Sequence, residues 1–331
     1  MKAVVLSGPK EYSVIEMPIP VPRPGEVVVR IEASPINPSD VVFLKGVYGT
    51  TKPYPAVPGF EGSGTVVSSG GGLLAWRLVG KRVALSCEKG NGVWAEYAVA
   101  SAKSCVVLPQ NIPFELGCCM FVNPFTVMMF ADKIREGKHQ AVIQTAACSA
   151  LGKMLIRYCI SERINIVNIV RRDEQVKQLK EMGAEYVLNS SDEGFLENLK
   201  KMSADLNATI AFDAVGGEMT GMLMNCMCEN SVVYVYGALS MTAIKDISPS
   251  SLIFSNKRVE GLWLTRWIKT KGLITLWNLS NRVVSLLPTI LKTEVAREFP
   301  LENIKDALKF YKKNMSAGKV ILRPQGVPQG N

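Results

Sequence analysis

Residues 140–172, QAVIQTAACSALGKMLIRYCISERINIVNIVRR, contain the pattern that decides the fold. Residues 141–144 predict an apolar strand, and a turn of small residues follows them. The spacing of apolar residues then becomes helical over 150–160, and a second apolar strand is predicted at 164–170. Strands that alternate with helices of this length are typical of a parallel sheet with helices on both faces.

The same alternation continues beyond residue 172. The helix predicted at 173–182 has Asp173 as a candidate N-cap and Gly183 in position to end it. Further segments alternate in type: strands at 185–188, 208–212 and 231–236, and helices at 194–202 and 218–227. This part of the chain is therefore predicted to form an α/β domain with a doubly wound parallel sheet.

The first third of the chain has a different pattern. Short apolar runs separated by proline and glycine predict a compact, barrel-like β domain. A long apolar helical stretch starts near Glu115 and is interrupted at Asn123-Pro124, where a break or kink is expected. The last segments, 295–299, 301–315 and 319–322, predict strand, helix and strand that return to the β domain. We therefore predict a β domain over 1–122, a nucleotide-binding domain over 123–288 and a C-terminal return over 289–331.

Composition excludes a mainly disordered chain and an integral membrane protein. The 331 residues are 47% apolar and 20% charged, which predicts an ordinary folded protein, and no apolar run is long enough for a membrane-spanning helix. The net charge of +9 lies in residues 253–331, where 14 basic residues face 5 acidic ones. Such a surface suits an acidic carrier protein, a phosphorylated ligand or an anionic membrane, or is only a set of solvated helix faces. No nucleic-acid motif accompanies it.

The turn between the first strand and helix of the sheet predicts a dinucleotide site. All residues of this turn are small, as close approach to a pyrophosphate requires, although the GxGxxG pattern is missing and close helix–strand packing would explain the turn as well. The second strand ends in Arg171-Arg172 rather than in an acidic residue. Hydrogen bonds from arginine to a 2′-phosphate contribute about 1.5 to 3 kcal/mol, so we predict NADPH as the cofactor.

Eight short motifs, spread in order over nearly the whole chain, give it a family resemblance. They are INPSD (36–40), GVYG (46–49), PGFEG (58–62), NPFT (123–126), IQTAACSALG (143–152), NIVR (168–171), LIF (252–254) and GLWL (261–264). The chain resembles the zinc-independent medium-chain dehydrogenases/reductases, and among them the mitochondrial trans-2-enoyl thioester reductases and quinone-reductase-like proteins. The resemblance implies a Rossmann domain and a GroES-like β-barrel catalytic domain.

Zinc is not expected. Zinc-dependent relatives use a cysteine near residues 38–40 and a histidine where this chain has Phe60. The one histidine, His139, lies in a polar turn and is predicted to be at the surface, and no CxxC pair is present. We predict no metal site.

The resemblance also implies the site residues. Tyr48 matches the proton donor of the enoyl reductases. Cofactor contacts are implied for Asn123, Cys148, Ser149, Ala150, Leu151, Gly152, Arg171, Arg172, Asp173, Tyr236, Gly237, Ala238, Leu239, Leu262, Trp263, Leu264 and Lys319. Cys148 stands where relatives more often have asparagine, and Leu262 where phenylalanine is common.

Three functions fit these expectations. The first is NADPH-dependent reduction of an enoyl thioester carried by coenzyme A or an acyl carrier protein. The second is NADPH:quinone reduction, and the third is an accessory subunit of a larger mitochondrial respiratory complex with little turnover. We expect a homodimer or a subunit of a larger complex, without nucleic acid or a membrane span. The mitochondrial matrix is the expected compartment, with the cytoplasm as the alternative.

The arginine pair predicts a cofactor preference that a fluorescence titration can measure. The protein should bind NADPH at least about tenfold more tightly than NADH, because only NADPH offers a 2′-phosphate to Arg171 and Arg172. A tenfold preference for NADH would contradict the role given to these arginines.

Overall fold

The computed structural model describes residues 1–49, 53–87 and 92–327. The chain forms two compact units: the first contains Met1–Pro124 and Trp277–Asn331, and the second contains Phe125–Leu276. This division does not test which segments fold independently, so the boundaries predicted after residues 122 and 288 stay predictions.

The N-terminal part of the first unit is mainly β. Its elements are β1 (Lys2–Gly8), β2 (Glu11–Glu16), β3 (Glu26–Pro35), α1 (Pro38–Leu44), β4 (Glu61–Ser69), α2 (Leu73–Leu78), β5 (Arg82–Ser86), β6 (Tyr97–Ser101), β7 (Cys105–Val107) and α3 (Phe114–Gly117). Strand β3 is central, since it pairs antiparallel with both β4 and β6. Val27, Val29 and Ile31 of this strand are buried in one apolar core with Trp94.

A parallel sheet forms the second unit. The elements that follow are α4 (Val122–Glu136), β8 (Ala141–Gln144), α5 (Ala150–Ser161), β9 (Asn165–Val170), α6 (Asp173–Glu181), β10 (Tyr186–Asn189), α7 (Phe195–Asp205), β11 (Ala208–Asp213), α8 (Glu218–Cys226), β12 (Val232–Val235), α9 (Pro249–Ile253), β13 (Arg258–Gly261) and α10 (Leu264–Lys269). The six strands lie in the order β10-β9-β8-β11-β12-β13, and every neighbouring pair is parallel. The prediction of a doubly wound sheet is confirmed.

The strand order determines where a ligand can bind on this sheet. The chain runs outward from β8 to β10, then returns to the other side of β8 and continues to β13. The carboxyl ends of β8 and its two neighbours therefore flank the point where the winding reverses, which is the usual ligand position in such folds.

The remaining elements are α11 (Leu273–Leu286), β14 (Val295–Pro300), α12 (Ile304–Lys313) and β15 (Lys319–Arg323). Strand β15 pairs parallel with β14 and antiparallel with β3. The C-terminal strands thus extend the sheet of the first unit. None of the helices in the described part of the chain has both the length and the apolar character needed to cross a bilayer.

Candidate active site

The turn after β8 has the close packing that a dinucleotide site requires. Ser149 is the N-cap of α5, and its Oγ accepts a hydrogen bond from the Gly152 amide at 3.1 Å. A Cβ atom on Gly152 would lie 2.3 Å from the Ala147 carbonyl oxygen, so only glycine lets the helix approach the turn this closely. The residues of the turn therefore fit a pyrophosphate at the N-terminus of α5.

A buried carboxylate fixes this turn to β11, a strand that lies beside β8 in the sheet. The Asp213 carboxylate, at the end of β11, accepts hydrogen bonds from the hydroxyls of Thr145 at 2.8 Å and Thr220 at 2.6 Å. It also accepts from the amides of Val215 at 2.8 Å and Gly216 at 3.2 Å. Sequence reasoning missed Asp213, although an aspartate that ends an apolar strand before Gly216-Gly217 is a signal that could have found it.

Two buried amide side chains, those of Gln144 and Asn168, also hold the turn in place. The Gln144 amide nitrogen donates to the Asn168 side-chain oxygen at 2.7 Å and to the Gly152 carbonyl at 3.1 Å. Asn168 in turn donates to the carbonyls of Ile166 and Tyr186, both at 3.0 Å. These bonds link β8, β9, β10 and α5, which accounts for two amide side chains in otherwise apolar strands.

The predicted 2′-phosphate contacts lie at the end of β9. Arg171 and Arg172 are both exposed, so their guanidinium groups are accessible to a ligand. The Arg171 amide donates to Gln175 Oε1 at 3.2 Å, and its carbonyl accepts from the Ser191 hydroxyl. Asp173 accepts a hydrogen bond from the Asn189 side chain at 2.8 Å, a contact that joins α6 to the end of β10.

The other predicted cofactor segments of the second unit follow neighbouring strands. Residues 236–239 come directly after β12, where the Leu239 amide donates to the Ala214 carbonyl at 3.0 Å. Residues 262–264 come after β13, and the Leu262 amide donates to the Val235 carbonyl at 2.9 Å. Cys148 is buried, and its thiol donates to Gln178 Oε1 at 2.8 Å. The structure thus brings residues 148–152, 171–173, 236–239 and 262–264 to one edge of the sheet.

Tyr48, Asn123 and Lys319 belong to the first unit. Tyr48 is half-buried after α1, and its ring centroid lies 4.9 Å from that of Phe60. Phe60 also packs edge-on against Phe43 at 5.6 Å. Its amide donates to Asp40 Oδ1 at 3.1 Å, so the ring beside Tyr48 is fixed by a buried carboxylate.

Four polar side chains of the first unit form what we call the buried cluster: Asn37, Asp40, Glu61 and Lys319, each at most 4% exposed. The Lys319 ammonium group donates to the Asn37 side-chain oxygen. The Asn37 amide nitrogen donates to Glu61 Oε1 at 2.9 Å, and the Asn37 backbone amide donates to Asp40 Oδ2 at 2.8 Å. One cation thus lies among two carboxylates away from water.

The buried cluster also fixes the start of α4. Glu61 Oε2 accepts hydrogen bonds from the backbone amides of Phe121 and Val122, both at 2.9 Å. A carboxylate at this position satisfies amide groups that a helix N-terminus leaves unpaired, and it interacts favourably with the helix dipole. Asn123, the buried second residue of α4, is therefore positioned by Glu61.

Burial changes the proton affinity of this cluster. Removal from water, with a smaller effect of the neighbouring Glu61, raises the pKa of Asp40 to about 7 against the opposing effects of backbone hydrogen bonds and of Lys319. Burial also raises the pKa of Glu61, again against the effect of Lys319. Lys319 is implied to be a cofactor contact, and the structure places it in this cluster instead of at the surface; its contact with the cofactor stays a prediction.

The residues do not fit a zinc ion. In the described ranges, no three histidine, cysteine, aspartate or glutamate side chains are grouped so that they could hold a metal. Phe60 offers no donor atom, and His139 lies in the second unit with its Nδ1 2.7 Å from the Thr209 hydroxyl. His139 is half-buried, which corrects the prediction of a surface residue.

Comparisons with known proteins identify the family. Residues 23–110 match the alcohol dehydrogenase GroES-like domain, and residues 150–278 match the zinc-binding dehydrogenase domain. The chain therefore belongs to the medium-chain dehydrogenase/reductase family, with its GroES-like and Rossmann-type domains, as the motifs predict.

Three individual proteins are similar to this chain over most of its length. The chain is 30% identical over 311 residues to the mitochondrial enoyl-[acyl-carrier-protein] reductase of Mus musculus, covering 90% of this chain and 81% of the relative. It is 32% identical over 251 residues to that of Caenorhabditis elegans, covering 74% and 71%. A Mesorhizobium loti protein provisionally described as an NADPH:quinone reductase has a TM-score of 0.92 and 32% identity, with 98% of both chains covered.

The raised pKa of Asp40 predicts that the free energy of unfolding depends on pH. Asp40 keeps its proton to about pH 7 when folded but only to about pH 4 when unfolded, so its contribution to stability decreases as the pH rises between these values. Relative to an Asp40→Asn variant, the free energy of unfolding of the unmodified protein should therefore fall by about 2 kcal/mol between pH 5 and pH 8.

Urea unfolding at the two pH values measures this difference. Asp205→Asn, at an exposed position of α7, is the matched control and should follow the unmodified protein. The assignment is wrong if the Asp40→Asn variant and the unmodified protein lose stability equally over this range.

Proposed function

We propose that this protein reduces the carbon–carbon double bond of trans-2-enoyl thioesters with NADPH. The observation that carries the proposal is the similarity to an enoyl-[acyl-carrier-protein] reductase over nine-tenths of the chain. The motif resemblance adds Tyr48, at the position that it implies for the proton donor. Family membership makes the protein an oxidoreductase, and the Mesorhizobium loti relative is described as using NADPH.

The second unit offers the groups that would hold the cofactor. The turn capped by Ser149 would bind the pyrophosphate, and the exposed Arg171 and Arg172 would bind the 2′-phosphate. Asp213 keeps the turn in place through Thr145. When bound, NADPH supplies the hydride for the reduction.

Tyr48 is proposed to supply the proton. A double bond next to a thioester is readily reduced because the carbonyl oxygen stabilises the resulting negative charge, but a proton must then reach the α carbon. A tyrosine hydroxyl with an ordinary pKa near 10 stays protonated at neutral pH until this charge forms. The contact with Phe60, fixed by Asp40, limits the orientations that the Tyr48 ring can adopt.

Quinone reduction is the second candidate. It is favoured by the Mesorhizobium loti structure, which covers 98% of both chains. A quinone takes hydride on oxygen and needs no dedicated proton donor at carbon, so Tyr48 would then be dispensable.

The mitochondrial matrix is the compartment we propose. The enoyl reductase relatives are named as mitochondrial, and the basic character of the chain suits this compartment. The cytoplasm is the alternative, and a homodimer is the proposed assembly.

A comparison of acceptors tests the proposed function. With NADPH in excess, kcat/KM for a crotonyl thioester should exceed that for benzoquinone by at least about tenfold, because thioester recognition adds binding energy in the transition state. Turnover of benzoquinone alone would reject the enoyl thioester proposal in favour of the second candidate.

A Tyr48→Phe variant tests the proton donor. Loss of general-acid catalysis should lower kcat on crotonyl thioesters by about 10²- to 10⁴-fold, with little change in NADPH affinity. The exposed Tyr54, changed to phenylalanine, serves as the control and should retain full turnover. Unchanged kcat in the Tyr48→Phe variant would remove this residue from the mechanism.

A further inference from the structure

An open groove lies between β14 and α12 in the first unit, with a volume of about 510 Å³. We call it the α12 groove. Its lining includes Arg297 and Phe299 from β14, and Lys309, Phe310 and Lys313 from α12. Neither the proposed cofactor site nor the buried cluster uses these side chains.

Arg297 is held in a defined orientation at the wall of the groove. Its guanidinium carbon lies 5.1 Å from the ring centroid of Phe299 and 5.4 Å from that of Phe310. Stacking on two rings restricts the guanidinium plane while the side chain remains exposed. Arginine in this state is well prepared to form paired hydrogen bonds with a carboxylate or a phosphate.

Helix α12 adds cations on the same side. Lys309 and Lys313 are four residues apart, so they lie on one face of the helix, and both are exposed. The opposite face, which includes Leu308 and Tyr311, is buried in the core of the first unit. The groove is therefore a basic surface on a helix whose position is fixed by its apolar face.

Acidic side chains cancel only part of this charge. Glu298 lines the groove but accepts two hydrogen bonds from the Arg323 guanidinium, at 2.7 and 3.0 Å, which neutralises it locally. Asp306 is the other acid of the lining. Arg297, Lys309 and Lys313 therefore leave an excess of positive charge, consistent with the net +9 of the last quarter of the chain.

The elements around the groove also border the buried cluster. Strand β15, the parallel neighbour of β14, begins at Lys319 of that cluster. Tyr311, on the inner face of α12, is close enough to Asp40 for that carboxylate to act with burial in raising the pKa of its hydroxyl. A partner bound in the groove would thus contact the outer side of elements that pack around the cluster fixing Phe60.

We propose that the α12 groove is the docking surface for an acidic carrier protein that presents the enoyl thioester. The proposal rests on the proposed function and names the form in which the substrate arrives. Cations matched to carboxylates of the partner would raise the rate of encounter and fix its orientation, while the half-buried Phe310 offers apolar contact.

Charge reversal on one face of α12 tests the docking surface. The variant is Lys309→Glu with Lys313→Glu, and the matched control is Lys81→Glu with Lys103→Glu, which makes the same change of charge at exposed positions of the first unit that lie outside α12 and the groove lining. Crotonyl thioesters of an acidic acyl carrier protein, of coenzyme A and of N-acetylcysteamine are the substrates, and circular dichroism verifies folding. If the charge reversal prevents folding, Lys309→Gln with Lys313→Gln replaces it.

The ratio of kcat/KM for the carrier protein to that for the N-acetylcysteamine thioester is the readout. It should fall about tenfold or more in the groove variant and less than about twofold in the control, and the loss should shrink at high salt. An equal fall in both variants, or no fall in either, overturns the proposal. An equal loss on coenzyme A and the carrier protein also overturns it, since the groove would then bind a small phosphate.

Failure of the proposed function would give a different result. If the unmodified enzyme reduces none of the three thioesters, the enoyl thioester proposal is rejected. Binding of the labelled carrier protein, measured by fluorescence anisotropy, then decides on the groove alone: retained binding that the groove variant weakens about tenfold supports the surface, and no binding overturns it.

Discussion

Two carboxylates and one ammonium group buried together impose the strongest constraint on the first unit. Each carries a desolvation cost of several kcal/mol, which is recovered only when its hydrogen bonds are well made. Asp40 and Glu61 recover it by accepting from backbone amides of three separate segments, those at Asn37, Phe60 and residues 121–122. These segments consequently have little freedom to move apart, and the position of Asn123 and the support for Tyr48 both depend on them.

The second unit also contains a buried carboxylate that holds backbone segments, that of Asp213. Asp213 accepts from two hydroxyls and two amides, and it joins the turn after β8 to the loop after β11. In both units a buried carboxylate accepts hydrogen bonds from loop residues next to a helix or a strand and so holds the loop in one position. Such groups contribute less to net stability than to a defined arrangement, because a misplaced segment would leave the charge unpaired. The turn proposed to bind the cofactor and the surroundings of Tyr48 are thereby each held in a defined arrangement within their own unit.

Buried and exposed charges have different roles in this chain. Buried charges are nearly balanced and hold backbone segments, whereas most of the cations that give residues 253–331 their net +9 lie on exposed positions. Exposed cations contribute little to folding, since solvent and salt screen them, but they attract acidic partners over a Debye length of about 10 Å. The enoyl thioester and quinone proposals differ in this respect, because a quinone gives a basic surface nothing to recognise.

The sequence by itself determined the fold of the second unit and the place of the turn that we propose binds the nucleotide. Apolar periodicity, the small residues before α5 and the end of β9 just before Arg171 are local properties, and neighbouring residues decide them. Tertiary structure alone decided the buried cluster, because Lys319 and Asn37 are 282 residues apart and nothing local to either indicates the pair. Asp213 does have a local signal in the glycine pair that follows its strand, but its bond to Thr145 appears only when β8 and β11 lie side by side. A strand's type follows from its own residues, but the partner of a buried charge depends on which distant segment the packing places beside it.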